Sequence, residues 1–461
     1  MIPENVGIRG IEVYYPRLAV RQDQLEKSDA ASTGKYTIGL GQNQMAFFAD
    51  QEDVVSIALT VTQKLIESYQ ISKESIGFLA VGTETLIDKS KSVKSELMRL
   101  FDENHDIEGV DVKNACYGGT QAVFHAIDWV TANWATEGRF SIAVLADIAV
   151  YEEGPARCTG GAGAVAVLIG PNAPIVFEKG LRGIYMDATW DFYKPIGGGK
   201  PSEYPVVNGQ NSLKIYMKAL DECYTAYKRK AKRLKGEEIS LQSFDAAMFH
   251  SPFTKMVQKA IGRLHYWDVL NGFTQGNDEL KKLMPITDLD EREVVSSLQK
   301  SSFKEFNSLT SPFLEMNRNC GNMYTPSLFV QLVTWLAKCA SMSSSQSPAR
   351  ILMYAYGSGC ASAMFSVLVN NSENAELLLM KKICAEALER LNNRTVLTPE
   401  RYREVMKMRE ELLHSTESYT PKALSQPDLQ PFPGAFILTS ISKSYQRFYA
   451  RIPLEQQNGH N

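Results

Sequence analysis

The chain has 461 residues, 49 of them basic and 52 acidic, which gives a net charge of −3. Its composition of 44% hydrophobic and 22% charged residues is typical of a packed protein and excludes a disordered chain. The near-neutral charge gives no signal for nucleic acid, and no apolar run approaches the roughly 18 residues of a membrane helix, so we expect neither nucleic acid nor a membrane as a partner.

Short apolar runs rich in β-branched residues alternate along the chain with helical patterns. The apolar runs predict buried strands, and apolar residues repeated every three or four positions predict amphipathic helices. Such alternation favours helices packed around a mainly parallel sheet. In chain order, the predicted elements are a helix over 54–69, a strand over 78–81, a helix over 122–134, strands over 142–145 and 164–169, a helix over 327–339, and strands over 351–356, 364–369, 436–441 and 445–449.

A polar turn that opens a helix, followed by a Gly-rich turn before an apolar strand, occurs once in each half of the chain. The first half has these turns at 114–120 and 159–163, and the second half has them at 319–325 and 357–360. The repetition suggests a duplicated α/β unit, although chance similarity would give the same pattern. The polar segment 270–312 is consistent with a helical insertion.

The seven cysteines are odd in number and include no Cys-x-x-Cys pair. The first residues have neither the basic region nor the apolar core of a secretory signal. We therefore expect reduced thiols and a cytoplasmic protein, in which any special cysteine is special for its reactivity.

Cys116 is the best candidate for a nucleophile, because it follows a strand-like segment and stands at a predicted helix start. Gly118 and Gly119 beside it let backbone amides come close to a bound group. The positive end of a helix dipole favours a thiolate, so this position predicts a pKa below the ordinary value of about 8.5. Such a thiol can carry an acyl group. A buried structural cysteine at a tight turn is the alternative.

Two further polar residues follow apolar strands. Glu84 comes after the strand predicted over 78–81, and His250 ends an apolar segment at a proline turn. Ligands gather at strand ends in α/β sheets, and carbon–carbon acyl chemistry needs a nucleophile, a base and an acid. A half-buried structural histidine and a carboxylate at a helix start are the alternatives for these two residues.

The sequence lacks the motifs of several other chemistries. It has no His-Glu-x-x-His and no paired-cysteine spacing, so it predicts no metal site. No Gly-x-Gly-x-x-Gly follows a predicted strand, which argues against a nicotinamide enzyme.

Seven segments carry recognisable motifs: 34–42 (Gly-Lys-Tyr-Thr-Ile-Gly-Leu-Gly-Gln), 81–94, 114–120 (Asn-Ala-Cys-Tyr-Gly-Gly-Thr), 191–195 (Asp-Phe-Tyr-Lys-Pro), 249–252 (Phe-His-Ser-Pro), 321–325 (Gly-Asn-Met-Tyr-Thr) and 356–359 (Tyr-Gly-Ser-Gly). In this order, from about residue 6 to 449, they closely resemble the eukaryotic hydroxymethylglutaryl-CoA synthase family. The resemblance implies an α/β, thiolase-like fold: an αβαβα five-layered sandwich of two similar halves, normally in a homodimer. We expect one half over 1–170 carrying Glu84 and Cys116, and one over 171–461 carrying His250, Asn322 and Ser358, with the helical insertion near 270–312.

The resemblance also implies a reaction, the condensation of acetyl-CoA with acetoacetyl-CoA to give hydroxymethylglutaryl-CoA in the mevalonate pathway. Acetyl-CoA acylates Cys116, and Glu84 takes a proton from the acetyl methyl group. The enolate attacks the ketone carbon of acetoacetyl-CoA, while His250 hydrogen-bonds or protonates the oxyanion. Water then releases the product. The CoA thioesters are substrates, and no separate cofactor is implied.

For substrate binding, the resemblance implies that Asn322 orients the acetoacetyl group and that the amides of Ser358 and Cys116 face the thioester oxygen. Lys255 and Lys259, four residues apart and so on one helix face, are expected to bind CoA phosphates. The remaining residues expected at the site are Thr159, Ser212, Thr33 and Tyr117, with Asp147 and Asp191 in support.

The chain departs from the family pattern at Cys158, where proline is usual, and at Asn208, where aspartate is usual. One alternative function is a related synthase that acts on β-ketoacyl groups bound to a carrier protein, and another is a non-catalytic paralogue. Lys255 and Lys259 favour free CoA, and the intact trio of Cys116, Glu84 and His250 argues against a non-catalytic role.

Overall fold

The computed structural model describes residues 3–196, 203–284, 286–338, 348–370, 374–415 and 417–454. Its strands are β1 (Gly7–Tyr14), β2 (Leu18–Arg21), β3 (Gln44–Ala46), β4 (Ile76–Gly82), β5 (Asp111–Val112), β6 (Phe140–Ala149), β7 (Gly161–Gly170), β8 (Ile175–Met186), β9 (Phe192–Tyr193), β10 (Val206–Val207), β11 (Ala246–Phe249), β12 (Ala349–Gly357), β13 (Ala361–Val369), β14 (Thr395–Leu397), β15 (Phe436–Ile441) and β16 (Arg447–Arg451). Its helices are α1 (Gln22–Ser28), α2 (Val54–Ser68), α3 (Val93–Leu97), α4 (Gly118–Glu137), α5 (Gly209–Lys235), α6 (Thr254–Leu270), α7 (Asp278–Leu283), α8 (Arg292–Ser301), α9 (Phe303–Leu309), α10 (Glu315–Cys320), α11 (Phe329–Lys338), α12 (Ala375–Glu389) and α13 (Pro399–His414).

The main sheet of the described chain has nine strands in the order β11-β12-β13-β8-β1-β7-β6-β4-β5. β4 is parallel to β5 and β6, and β11 is parallel to β12, whereas the other five neighbouring pairs are antiparallel. The prediction of a mainly parallel sheet is therefore wrong, because the sheet is mixed. Strands covered on both faces are apolar throughout whichever way they run, so their composition does not reveal their direction.

The sheet consists of two units with the same pairing pattern. In the first, β4 is parallel to β6, β6 antiparallel to β7, and β7 antiparallel to β1. In the second, β11 is parallel to β12, β12 antiparallel to β13, and β13 antiparallel to β8. The units meet where Gly7 and Ile8 of β1 pair with Val176 and Ile175 of β8.

Alternate residues of the strands face two different helix layers. In β6, Ala143 and Leu145 belong to a central core that includes α4 and α11, whereas Ile142 and Val144 belong to an outer core with α2. The central core also takes the inner face of β12, whose outer face packs with α5 and α6. Because successive side chains of a strand point to opposite faces, each unit of the sheet has helices on both of its faces. The two units thus form two sheet layers, with one helix layer between them and one on each outer side.

The predicted helical segment 270–312 contains α7, α8 and α9, which pack against or beside α6. The second-half helix predicted over 327–339 is α11, and residue 339 lies outside the described residues. In the part of the chain that the structure describes, no helix combines the length and apolar character needed to cross a bilayer.

Candidate active site

Cys116 lies between β5 and α4, at a turn held against the end of β4. The residue before it, Ala115, has a φ of 44°. α4 begins with two glycines, and a Cβ at Gly82, the last residue of β4, would lie 2.3 Å from the Cα of Gly119. This close backbone approach depends on glycine, and it brings Cys116 next to the residues that follow β4.

Glu84 follows β4 and contacts both Cys116 and a lysine. The Cys116 thiol donates to Oε1 of Glu84 at an Sγ–O distance of 3.3 Å. The Oε2 atom of Glu84 lies 3.2 Å from Nζ of Lys194, and that ammonium lies 4.4 Å from the ring centre of Tyr324. Glu84 is buried, so these contacts are shielded from bulk water.

Asp147, a buried residue of β6, holds the segment around Glu84 in place. Its Oδ1 atom accepts hydrogen bonds from the amides of Glu84 at 2.9 Å and Thr85 at 3.0 Å, and from the hydroxyls of Thr83 and Thr85. Its Oδ2 atom accepts from the amide of Thr325 at 3.1 Å and from the same residue's hydroxyl. One carboxylate therefore joins the segment after β4 to the segment before α11.

The protonation of Cys116 and Glu84 is governed by burial and by their mutual contact. Burial raises the pKa of Glu84 above its ordinary value, and Lys194 opposes this rise. Burial, and then the Glu84 carboxylate, raises the pKa of the Cys116 thiol well above its ordinary value. The prediction of a lowered pKa for Cys116 is therefore wrong, because a helix end with about half a charge is outweighed by desolvation and a full negative charge.

His250 directly follows β11 and is buried. Its amide donates to the carbonyl of Tyr354 at 2.7 Å, and its carbonyl accepts from the Tyr216 hydroxyl at 2.9 Å. Burial lowers the pKa of the His250 imidazole to about 3. The imidazole is therefore neutral at physiological pH and can donate one hydrogen bond.

One cavity of about 220 Å³ is lined by six of the thirteen predicted site residues. Aromatic and apolar side chains, such as Phe192, Phe253 and Met256, form much of its wall. The predicted residues that line it are Cys116, Thr159, Ser212, His250, Asn322 and Ser358. A nucleophile, a neutral imidazole, an amide and hydroxyl groups thus share one pocket, which suits a polar acyl group on an apolar stem.

Asn322 precedes α11 in the second unit, as Cys116 precedes α4 in the first. Its side-chain oxygen accepts hydrogen bonds from the Tyr324 amide at 2.9 Å and from the Ser327 hydroxyl at 3.1 Å. These two bonds fix the orientation of the side-chain amide within the cavity wall.

Asp191 is buried and holds the loop that carries Ser358. It accepts hydrogen bonds from the Gly359 amide at 3.1 Å and from the Tyr356 hydroxyl at 3.0 Å. On the other side of the loop, a Cβ at Gly357 would lie 2.4 Å from the carbonyl oxygen of Asn114. Ser358 is therefore held against the Cys116 turn.

The other predicted site residues do not line this cavity, and Glu84 lines two other cavities of about 110 and 410 Å³. Tyr117 is buried, and its phenol donates to Gln121. Lys259 lines an adjoining cavity of about 200 Å³, Lys255 is half-buried on the same helix, and Thr33 is exposed. Among the described residues, no group of three or more His, Cys, Asp or Glu side chains is placed to hold a metal ion.

The two departures from the family pattern have structural explanations. Cys158 is buried outside the cavity, and its carbonyl accepts from Gln22 at 2.7 Å. Asn208 caps α5, since its side chain accepts from the Asn211 amide at 3.2 Å. Aspartate and asparagine are both good N-caps, so this substitution preserves the start of the helix that carries Ser212.

Sequence reasoning gave no role to Lys194 and Tyr324, although both lie at the centre of the site. Tyr324 lines the cavity and has a φ of 53°, and Lys194 pairs with Glu84. Both residues fall inside recognised motifs, at 191–195 and 321–325. A single lysine in a loop has no periodic pattern, so only the motif could have pointed to it.

Comparison with known proteins identifies two adjoining family models, the hydroxymethylglutaryl-coenzyme A synthase N-terminal model at residues 2–174 and the C-terminal model at residues 175–452. A hydroxymethylglutaryl-CoA synthase of Caenorhabditis elegans is 48% identical, over 99% of this chain and 96% of the relative. The cytoplasmic hydroxymethylglutaryl-CoA synthase of Mus musculus is 42% identical, over 98% of this chain and 88% of the relative. A solved structure of MvaS in complex with 3-hydroxy-3-methylglutaryl coenzyme A matches with a TM-score of 0.80 at 30% identity, covering 97% of this chain and 99% of that one.

Proposed function

This chain belongs to the hydroxymethylglutaryl-CoA synthase family, and from that premise we propose how its active site carries out the reaction. Its fold is thiolase-like. The enzyme is an acyltransferase that condenses acetyl-CoA with acetoacetyl-CoA and water to give hydroxymethylglutaryl-CoA and CoA, in the mevalonate pathway.

The first step is acylation of Cys116. The thiol proton passes to Glu84 as sulfur attacks the acetyl carbonyl, and the C–S bond to CoA breaks. The departing CoA sulfur takes the proton from Glu84, which becomes a carboxylate again. The 3.3 Å contact between Sγ and Oε1 supports this transfer, and the amides of Cys116 and Ser358 stabilise the oxyanion.

The second step forms the carbon–carbon bond. Glu84 removes a proton from the acetyl methyl group, and the electron pair of the C–H bond attacks the ketone carbon of acetoacetyl-CoA, which Asn322 orients. His250 donates a hydrogen bond to the new alkoxide and does not protonate it, because its imidazole is neutral with a pKa of about 3. Glu84 returns the proton to the alkoxide, and water then cleaves the Cys116 thioester.

The CoA portions extend from the cavity past Thr159 and Ser212 towards Lys255 and Lys259, with Thr33 further out and Tyr117 supporting the Cys116 turn. Asp147 and Asp191 support Glu84 and Ser358. No metal or further cofactor takes part in these steps, since the side chains supply each proton transfer. Turnover that is unchanged by a chelator is the expected result.

We also propose that the protein is a cytoplasmic homodimer. Within each chain, the first half ends at residue 170 and the second half begins at residue 171, between β7 and β8. The name of the mouse relative supports the location. A fluorescent fusion that localises to mitochondria would contradict it.

The 3.3 Å contact between Glu84 and Cys116, which lines the cavity, carries the proposed mechanism, and intact mass spectrometry tests it. Brief incubation with acetyl-CoA alone is expected to add one acetyl group to the native chain and none to Cys116→Ala. Cys158→Ala is the matched control, because this buried cysteine lies outside the cavity, and it should still be acetylated.

Acetoacetyl-CoA should then discharge the adduct and yield hydroxymethylglutaryl-CoA. A folded native chain that forms no adduct from acetyl-CoA would contradict the proposal. If an acetylated carrier protein then formed the adduct instead, the carrier-dependent synthase would replace the free-CoA enzyme.

A further inference from the structure

The ammonium group of Lys194 lies behind the catalytic carboxylate. Its Nζ is 3.2 Å from Oε2 of Glu84, while Oε1 of Glu84 accepts from the Cys116 thiol. The Lys194 side chain is 12% exposed, so its charge is largely withdrawn from water. Lys194 and the Cys116 thiol therefore contact different oxygens of one buried carboxylate.

The chain around Lys194 is held on several sides. β9 pairs with β10, through Phe192 with Val207 and Tyr193 with Val206. The Phe192 ring meets the Tyr324 ring edge-on at 5.9 Å between centres, and the Lys194 ammonium lies over that same Tyr324 ring at 4.4 Å. Such a cation over an aromatic face is attracted to it, so the lysine has two partners in a desolvated place.

The other charged neighbours do not keep Glu84 ionised. Asp147 adds a negative charge that disfavours the carboxylate, and burial acts in the same direction. The titratable side chains that face Glu84 are Cys116, Asp147, Tyr151, Lys194 and Tyr324, and those of Asp88, Lys89 and Glu203 line an adjoining cavity of about 110 Å³. Among the described residues, Lys194 is the cation that forms an ion pair with Glu84.

We propose that Lys194 is a positioning residue that keeps Glu84 ionised and directs its free oxygen towards the reacting groups. The inference rests on the mechanism proposed above. In the enolisation step, the methyl C–H bond breaks, the proton forms an O–H bond to Oε1 of Glu84, and the electron pair is shared between the carbon and the thioester oxygen of the enolate. Lys194 keeps its own proton throughout and does not contact the substrate.

The pH dependence of condensation in Lys194→Met and Lys194→Arg tests this role. Without the cation, Glu84 takes up its proton at a higher pH, so the acidic limb of the kcat profile moves to higher pH. Relative to the native enzyme, Lys194→Met is expected to lose roughly tenfold more activity at pH 6 than at pH 9. Lys194→Arg restores the charge and should keep the native limb, at some loss from its different shape.

A second readout follows the proton itself. With deuterated acetyl-CoA alone, the native acetyl-enzyme should exchange its methyl deuterium with water, and Lys194→Met should exchange more slowly at pH 6. Lys64→Met is the matched control, because it removes another partly buried lysine, whose Nζ lies 3.9 Å from Glu12, and Lys64 does not line the cavity. The pH profile of Lys64→Met should match that of the native enzyme.

A Lys194→Met profile that parallels the native one at every pH would overturn the proposal, even if its activity is low. Thermal unfolding checks that the variants are folded. If Lys194→Met is not folded, Lys194→Gln takes its place as the neutral variant. A native enzyme that forms no acetyl adduct would contradict the proposed mechanism instead, whatever the Lys194 variants do.

Discussion

Burial and the Lys194 ammonium act in opposite directions on the pKa of Glu84. Burial and Asp147 favour its neutral form, and Lys194 favours the carboxylate. The same carboxylate raises the pKa of Cys116, which would otherwise gain from the positive end of α4. The thiol therefore stays protonated until the carboxylate accepts its proton. A protonated thiol is protected from the electrophilic reagents with which a free thiolate would react.

This balance predicts that Glu84→Gln makes Cys116 more reactive while it abolishes condensation. Removal of the negative charge lowers the pKa of the thiol, so alkylation by iodoacetamide at pH 7 should be severalfold faster than in the native chain. Condensation should fall by at least about a hundredfold, because the general base is lost.

Mass spectrometry of Cys116 over time measures the alkylation. Glu52→Gln is the control for the change of side chain, since Glu52 is another buried acidic residue and accepts a hydrogen bond from Tyr14 outside the cavity. If Glu84→Gln instead slowed the alkylation of Cys116, the carboxylate would not add to the effect of burial on the pKa of the thiol.

The neutral His250 predicts a loss of stability in acid. Its folded pKa of about 3 is below the unfolded value of about 6.5, so the folded state binds fewer protons. The contribution of this group is therefore intact above pH 6.5 and falls by up to about 1.4 kcal/mol per pH unit as the pH is lowered. Urea midpoints of the native chain and His250→Asn measure it, and the native chain should lose more stability between pH 7 and pH 5.5. An equal loss in both would show that the pKa of His250 is the same in the folded and unfolded states.

At the scale of elements, close backbone contacts join the start of α4 to the ends of β4 and β12. Gly82 meets Gly119, and Gly357 meets the turn that carries Cys116. Asp147 and Asp191 fasten the same segments from the side, through hydrogen bonds to backbone amides. These contacts hold Glu84 after β4, Cys116 before α4 and Ser358 after β12, and they leave the three residues little freedom.

Gly357→Ala is predicted to disrupt this arrangement. Its Cβ would lie 2.4 Å from the Asn114 carbonyl oxygen and 2.5 Å from the Tyr117 nitrogen, and both are backbone atoms that cannot turn away. We expect condensation to fall by roughly a hundredfold and stability by about 1–3 kcal/mol. Steady-state kinetics and urea unfolding measure the two effects.

Gly39→Ala is the matched control, because its Cβ would meet only the Gly34 oxygen at an ordinary 3.6 Å. It should leave both activity and stability near native. Native activity in Gly357→Ala would mean that the Cys116 turn tolerates displacement.

At the scale of the molecule, the repeat of the two units explains where the active site lies. Glu84 follows β4 and His250 follows β11, and these strands have equivalent places in the two units. Cys116 and Asn322 likewise precede α4 and α11, which share the central core. His250, Cys116 and Asn322 therefore line one cavity, and Glu84 reaches it through its contact with Cys116.

An exposed apolar patch predicts the surface of the proposed homodimer. Trp190 is 76% exposed and contacts Tyr193, which pairs with the exposed Val206, and Val207 and Ile196 are exposed as well. Patches of this kind mark interfaces, and exposed tryptophan is a frequent energetic centre. We expect Trp190→Glu to raise the dimer dissociation constant at least about tenfold.

Light scattering after gel filtration measures this change in mass. Phe303→Glu is the control, since Phe303 is 60% exposed on α9 and lies in the insertion. A shift caused by Phe303→Glu and not by Trp190→Glu would place the interface on the insertion.

Much of this protein follows from local sequence pattern. Apolar runs predicted the strands β4, β6, β7, β12 and β13, because burial on both faces is visible in composition alone. Cys116, Glu84 and His250 were predicted because polar residues at strand ends and helix starts stand out against apolar neighbours. The recognised motifs added Asn322, Ser358, Asp147 and Asp191.

Tertiary structure alone decided the properties that depend on residues far apart in the chain. The directions of the strands depend on which strands become neighbours. The raised pKa of Cys116 depends on burial and then on Glu84, 32 positions earlier, and the ionisation of Glu84 depends on Lys194, 110 positions later. Local pattern records whether a residue prefers to be buried, whereas charge and desolvation act through space and are set only when the fold brings these groups together.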